Sequence, residues 1–246
     1  MAILVTGGSK GIGLQIALSF SEPGNQVFLN YASDDQAAAL AQQAVQALGA
    51  ECHLLKGDAG TPEGCKRIMH TVAENVEQLD QLVHCAVRAV PHPALECDLV
   101  EFTNAVNLNG TALLYLTQAA MPLLKRGSTI FFLSSRGSRI VVPNYAAIGV
   151  AKSLGECLVR YLAAELAPHG IRINTVSPGV VDTEAVRTLF GDDADEIVRH
   201  AAENNPSGRG VEHADYTNMI RFLASPEAEF VQGQTIFING GANLMA

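Results

Sequence analysis

Residues Ala2–Gly13 read AILVTGGSKGIG, an apolar run that ends in a glycine-rich turn. Ala2 to Thr6 has the composition of a buried strand, and the glycines close it. Past the turn, Ile12, Ile16, Ala17 and Phe20 recur at helical spacing, so a helix is expected from about Gly13 to Phe20. Gly7, Gly11 and Gly13 stand in the order G-x-x-x-G-x-G. At such a junction Gly7 permits the tight turn, Gly11 lets backbone approach a pyrophosphate, and Gly13 allows close helix packing. Free N–H groups at the helix start then receive the anion. Glycines mark any tight loop, so position matters more than composition. Here they sit at the first strand-to-helix junction.

The alternation continues outward from this turn. Gln26–Ala32 reads as a second strand, Glu51–Asp58 as a third, Leu79–Val87 as a fourth and Ser128–Ser135 as a fifth. Ile171–Gly179 and Gly233–Gly240 supply a sixth and seventh. Helical patterns lie between nearly all of them, including Gln36–Leu48 and about Pro62–Val76. Strands apolar on both faces, alternating with helices, imply right-handed crossovers and a parallel sheet covered on both sides. The expected fold is a doubly wound, Rossmann-like α/β domain of about seven parallel strands. Such sheets bind ligands beyond the carboxyl ends of their strands.

A chain of 246 residues with 48% hydrophobic content can bury a full core, and nothing in it reads as a linker or repeat. One domain, 1–246, is expected. The net charge of −9 argues against general nucleic-acid binding. The opening MAILVTGG has no basic region or cleavage site, and no 18-residue apolar run occurs. No signal peptide and no membrane anchor are therefore expected, and the location is cytoplasmic. Five cysteines without C-x-x-C spacing fit reduced thiols. Cys52-His53 and His84-Cys85 lie in strand-like runs, where neighbours face opposite ways, so no metal is expected.

The end of the second strand bears on the cofactor. An acid there would bind the ribose 2′-OH of NAD. Asn30, Tyr31, Ala32 and Ser33 offer none before Asp34 and Asp35. Lys10, between Ser9 and Gly11 in the turn that continues through Ile12, is placed to meet a 2′-phosphate. The plain alternative is a solvated surface lysine. NADPH is favoured over NADH.

In TGGSKGIG, GDAG with Asp58 and Ala59, VNLNG with Asn107, LSSRG with Ser135, Lys152, SPGVVDT and the closing GQTIFINGG, the chain resembles the short-chain dehydrogenase/reductase family. The resemblance covers nearly the full length and rests on motif order. It implies that Asp58 bonds the adenine, Val181 meets the nicotinamide carboxamide, Thr183 sits near the phosphates, and Pro178 and Gly179 also contact the cofactor. It also implies that Asn107 holds a water or the helix geometry near the lysine, and that Lys152 bonds the nicotinamide ribose. Two departures stand out. His84-Cys85-Ala86-Val87 replaces the family's N-N-A-G beside the cofactor, keeping only Ala86, and Asn239 replaces a frequent aspartate.

Ketone-reducing members have Tyr-x-x-x-Lys, with a serine 13 residues before the tyrosine and hence 17 before the lysine. Ser135 and Lys152 keep that separation (152 − 135 = 17), but the tyrosine position holds Ile148. Tyr145 lies three residues earlier. On a helix both spacings return to about the same face, while the rise grows from ~6 Å to ~10 Å. The phenol then faces the cleft about one turn farther from Lys152. This Tyr-x6-Lys spacing is similar to that of bacterial enoyl-acyl-carrier-protein reductases, most of all their NADPH-dependent third type.

Hydride transfer to an enoyl thioester ends on the β-carbon while charge develops on an oxygen several bonds away. A displaced donor suits that separation. The expected catalytic set is Tyr145, Lys152, Ser135 and Asn107, with Ser135 open between substrate contact and a backbone-bonding role. Buried aromatic packing is the alternative for Tyr145. Residues 184–206 occupy the place of a mobile substrate lid, with Leu189, Phe190, Ile197 and Val198 able to cover an acyl chain. Arg136, Arg139 and Arg199 are candidates for docking an acyl-carrier protein, against the alternative of solvated arginines. The resemblance also implies a homotetramer. The competing readings are a carbonyl reductase and a non-catalytic nucleotide sensor.

Overall fold

A computed structural model describes residues 1–244. Its seven strands are β1 (Ala2–Thr6), β2 (Gln26–Tyr31), β3 (Glu51–Lys56), β4 (Gln81–His84), β5 (Thr129–Leu133), β6 (Arg172–Pro178) and β7 (Thr235–Ile238). They form one parallel sheet in the order β3-β2-β1-β4-β5-β6-β7. The order reverses between β1 and β4, so a crevice opens beyond their carboxyl ends. The register pairs Thr6 with His84 at its edge.

Helices cover both faces. They are α1 (Gly11–Ser19), α2 (Asp35–Ala47), α3 (Pro62–Ala73), α4 (Leu99–Val106), α5 (Ala112–Ala120), α6 (Ala146–Leu166), α7 (Glu184–Phe190), α8 (Ala194–Glu203) and α9 (His213–Ala224). One core layer joins Leu4, Phe28, Leu82, Ile130 and Ile173 to α3, α5 and α6. The other joins Ile3, Val5, Phe131 and Val176 to α1, α2 and α9. Alternate residues of the central strands thus feed opposite layers, and β1 is buried along its whole length. Among the described residues no helix is long and apolar enough to cross a membrane.

Two local departures from expectation shape the site. β4 stops at His84 instead of running to Val87. The N–H groups of Cys85 and Ala86 face Thr6 Oγ1 at 3.2 and 3.3 Å rather than a neighbouring strand. Between α4 and α5 the helix widens into a π-helical turn, Asn107–Thr111. Gly110 lies there because a Cβ would come within 2.5 Å of the Ala151 carbonyl. The π turn therefore packs α6 against the α4–α5 segment at backbone distance.

Candidate functional site

The glycine turn has the backbone that its sequence demands. Gly7 and Gly11 adopt φ of 65° and 51°, a region that favours glycine. A Cβ on Gly7 would lie 2.8 Å from Ala86 Cα, so the turn presses against the chain leaving β4. A Cβ on Gly13 would lie 2.3 Å from the Gly7 carbonyl oxygen, which closes α1 onto its own turn. The start of α1, with Lys10 as its N-cap and no side chain capping it, faces a cavity of about 480 Å³. Bare backbone and N–H groups with no side-chain cap among the described residues fit a dinucleotide pyrophosphate at that edge.

Gly7, Ser9, Lys10, Gly11, Ile12 and Gly13 all line this cavity, facing Pro178, Gly179, Val181 and Thr183 across it. Lys10 is neither free nor simply solvated. Its Nζ lies 2.6 Å from both Asp34 and Glu184, and these two partners raise its pKa. The expected 2′-phosphate contact would have to displace these carboxylates.

Several expected residues lie outside the cavity lining. Asn30 is buried and donates to the carbonyls of Leu55 and Gly57 at 2.9 and 3.0 Å, tying β2 to β3. Tyr31 donates to Asp35 at 2.8 Å, while Ala32 and Ser33 are exposed beyond it. Asp58 accepts from Gly60 N–H at 2.7 Å, and Ala59 is buried. Asn107 opens the π turn and is half-buried.

The segment after β4 is held by a buried network. His84 Nε2 lies 2.9 Å from the Leu108 carbonyl, which can only accept, so that nitrogen carries the proton. Nδ1 then accepts from Thr6 Oγ1 at 2.8 Å. Burial holds the His84 pKa down to about 3, so the ring is neutral. Nearby, Asn109 is fully buried and grips Arg88 through both its N–H and its carbonyl, at 2.7 and 2.9 Å. The residues that replace N-N-A-G are thus accommodated without the glycine. Val87 turns out to the cavity rim, 42% exposed, and Cys85 lines the wall.

Tyr145, Ser135, Ile148 and Lys152 meet in the same cavity. Tyr145 OH donates to Ser135 Oγ at 3.1 Å, and Ser135 Oγ also accepts from Gly137 N–H at 3.2 Å. The tyrosine is not inside the helix as expected but is its N-cap, with φ −117°. Asn144 before it takes φ 58°, a left-handed conformation that asparagine tolerates and that turns the phenol inward. Burial raises the phenol pKa, so Tyr145 is protonated at neutral pH.

Lys152 is 5% exposed and its Nζ lies 4.8 Å from the Phe132 ring centroid. Burial brings its pKa down to about 8, with Cys85 opposing that shift. Its charged form therefore exists below about pH 8 and is lost above it. If Lys152 holds the cofactor ribose, as the family resemblance implies, NADPH binding followed by fluorescence should weaken as pH rises through about 8, and Lys152→Met should bind weakly with no such limb. A wild-type Kd that stays flat from pH 7 to 9.5 would contradict this.

Leu189, Phe190 and Ile197, on α7 and α8, reach the cavity, while Val198 does not line it. Of the three arginines, Arg139 lies 3.5 Å from Glu156 and stacks 4.7 Å from the Phe237 ring centroid. Arg199 pairs with Glu203 on its own helix at 3.9 Å. Arg136 lines the cavity and has no carboxylate partner among the described residues.

Sequence reasoning missed the buried Glu156, the clamp at Asn109 and the left-handed Asn144. A carboxylate four residues after Lys152, in a largely apolar helix, was the available signal for the first. The other two depend on contacts across the fold.

A family model described as Enoyl-(Acyl carrier protein) reductase matches residues 7–243. The chain is 28% identical over 243 residues to a 1-cyclohexenylcarbonyl-CoA reductase of Streptomyces collinus, covering 99% of this chain and 87% of that protein. It is 30% identical over 240 residues to the 3-oxoacyl-[acyl-carrier-protein] reductase FabG of Staphylococcus aureus strain Mu50, covering 97% and 96%. The crystal structure of an enoyl-[acyl-carrier-protein] reductase (NADH) from Aquifex aeolicus VF5 superposes with TM-score 0.90 at 29% identity, covering 100% and 97%.

Proposed function

Because the chain belongs to the short-chain dehydrogenase/reductase family of nicotinamide-dependent oxidoreductases, we propose that it reduces the C=C bond of an enoyl thioester. The observation that carries this reading is the Tyr145–Ser135 contact at 3.1 Å, with Ile148 where a ketone reductase of the family has its tyrosine. A nicotinamide dinucleotide supplies the hydride when bound. Tyr145 turns its one phenol proton from Ser135 towards the thioester oxygen, stabilising the enolate as charge develops there, and a proton from water then completes the α-carbon. Ser135, already accepting two hydrogen bonds, fixes that phenol and keeps its own proton free to donate. Lys152 stays positively charged at neutral pH and binds the cofactor ribose, while Asn107 shapes the helix beside it.

The glycine turn holds the pyrophosphate, with Asp58 and Ala59 beside the adenine, Ala86, Pro178, Gly179 and Val181 around the nicotinamide, and Thr183 near the phosphates. Residues 184–206 act as a mobile lid whose Leu189, Phe190 and Ile197 exclude water from the acyl chain. Arg136 is the remaining candidate for contact with an acyl-carrier protein. The single domain works in fatty-acid or related biosynthesis as a cytoplasmic homotetramer, as the family resemblance implies.

NADPH remains the proposed cofactor, supported by Lys10 in the turn and the missing acid from Asn30 to Ser33. The Asp34–Lys10 pair at 2.6 Å argues the other way, since an acid shortly after β2 that occupies Lys10 suits a ribose hydroxyl better than a 2′-phosphate. Measured side by side, KM for NADPH is expected to be about tenfold below that for NADH, as one charge-assisted hydrogen bond allows. The reverse order would favour Asp34 as the ribose contact.

A second catalytic reading, carbonyl reduction, is favoured by the similarity to a 3-oxoacyl reductase. Product analysis by mass spectrometry separates the two. Crotonyl thioester converted to butanoyl thioester supports the first reading, and 3-hydroxybutanoyl thioester formed only from acetoacetyl thioester supports the second.

A further inference from the structure

We propose that Glu156 is a positioning residue that sets the place of Tyr145 by clamping the turn that carries Ser135. This rests on the reading of Tyr145 given above. α6 presents Gly149, Lys152, Ser153 and Glu156 along one face, as their spacing requires. Lys152 lines the cavity, and the other three meet the turn that follows β5.

Glu156 Oε1 accepts from Ser134 Oγ and from Ser138 Oγ, each at 2.7 Å, and Oε2 lies 3.5 Å from Arg139 Nη2. These three donors bracket Ser135 and Arg136 in the chain. Ser153 Oγ also donates to the Ser138 carbonyl at 2.5 Å. The turn is therefore gripped before and after the residue that accepts the tyrosine's hydrogen bond.

The grip reaches the phenol through bare backbone. A Cβ on Gly137 would fall 2.6 Å from the Tyr145 ring, and one on Gly149 would fall 2.7 Å from the Gly137 carbonyl oxygen. Turn, ring and helix are packed without side chains between them, so a shift of the turn moves the ring. Glu156 is only 5% exposed. A carboxylate drawn out of water is retained where it has strong partners, and an apolar residue would pack that helix face as well. The carboxylate adds a fixed, charge-assisted geometry for two hydroxyls.

The test compares Glu156→Ala with Glu156→Gln, which keeps one oxygen able to accept from both serines. Tyrosine labelled with ¹³C at Cζ gives a Tyr145 signal, assigned by its loss in Tyr145→Phe. In Glu156→Ala that signal should move towards its position in Ser135→Ala, and in Glu156→Gln it should stay at the wild-type position. With crotonyl thioester, Glu156→Ala should lose roughly 100-fold in kcat, as a misplaced acid does. Its Kd for NADPH should stay within about twofold, because Glu156 does not line the cofactor cavity.

A folded Glu156→Ala protein with wild-type Tyr145 signal and kcat overturns the proposal, as does a loss that falls equally on NADPH binding. If that variant does not fold, Glu156→Asp, too short to hold both hydroxyls, is judged by the same signal. Wild-type protein without enoyl turnover would reject the reaction, while the Tyr145 signal still decides the role of Glu156.

Discussion

Tyr145→Phe should lower kcat for enoyl-thioester reduction by at least roughly 100-fold, the low end for loss of a general acid, and leave cofactor binding unchanged. The phenol has no structural duty that phenylalanine would fail. Its ring packs on Gly137, and its only hydrogen bond among the described residues goes to Ser135 at 3.1 Å. Phenylalanine keeps the ring contact and removes the proton. Ser135→Ala should cost less, roughly tenfold, because it removes a partner of the acid and not the acid. Steady-state kinetics on the two variants, with NADPH fluorescence as the binding control, distinguish the roles. Equal losses would make serine and tyrosine a single unit, and an unaffected Tyr145→Phe protein would return the tyrosine to simple packing.

The largest effect on stability is expected at Arg172, far from the cavity. The residue is 8% exposed, and its guanidinium donates to the carbonyls of Leu223, Ala224, Ser225 and Ala228, at 2.5 to 3.4 Å. Two of those carbonyls belong to the last turn of α9, where a helix leaves acceptors unpaired and favours a cation. Arg172→Met keeps the apolar stem and strands the acceptors in a buried site. The expected cost is about 3–5 kcal/mol, which lowers Tm by roughly 10 °C in a chain of this length. Arg67, on the exposed surface of α3, serves as control, and Arg67→Met should stay within about 0.5 kcal/mol. A Tm for Arg172→Met within a degree of wild type would show that water satisfies those carbonyls.

The fold was legible because most strands are apolar on both faces and nearly all are separated by a helical pattern. Periodicity alone therefore specified a parallel sheet. Strand ends were less legible, since pairing stops where a side chain intercepts the ladder, as Thr6 does at Cys85 and Ala86. Motif spacing located the cavity wall from Gly7 to Gly13 and brought Ser135, Tyr145 and Lys152 together. It did not reveal Lys10 shared by Asp34 and Glu184, because Glu184 is 174 residues away in the chain. Nor did it reveal Glu156, whose partners lie 17 to 22 residues earlier. Charge partners across a fold leave no local period to read. Tyr145 lines the cavity by a different route from the one its helical spacing suggested. It caps the helix instead of riding on it, and Asn144 supplies the turn that points it inward.

The position of Tyr145 is tied most directly to the reaction by NADPH oxidation with crotonyl and acetoacetyl thioesters, measured on one preparation. Crotonyl turnover is expected to exceed acetoacetyl turnover by at least roughly 100-fold in kcat/KM, the scale set by a correctly placed acid. Acetoacetyl turnover equal to or above crotonyl turnover, or NADPH binding with neither, would contradict enoyl reduction.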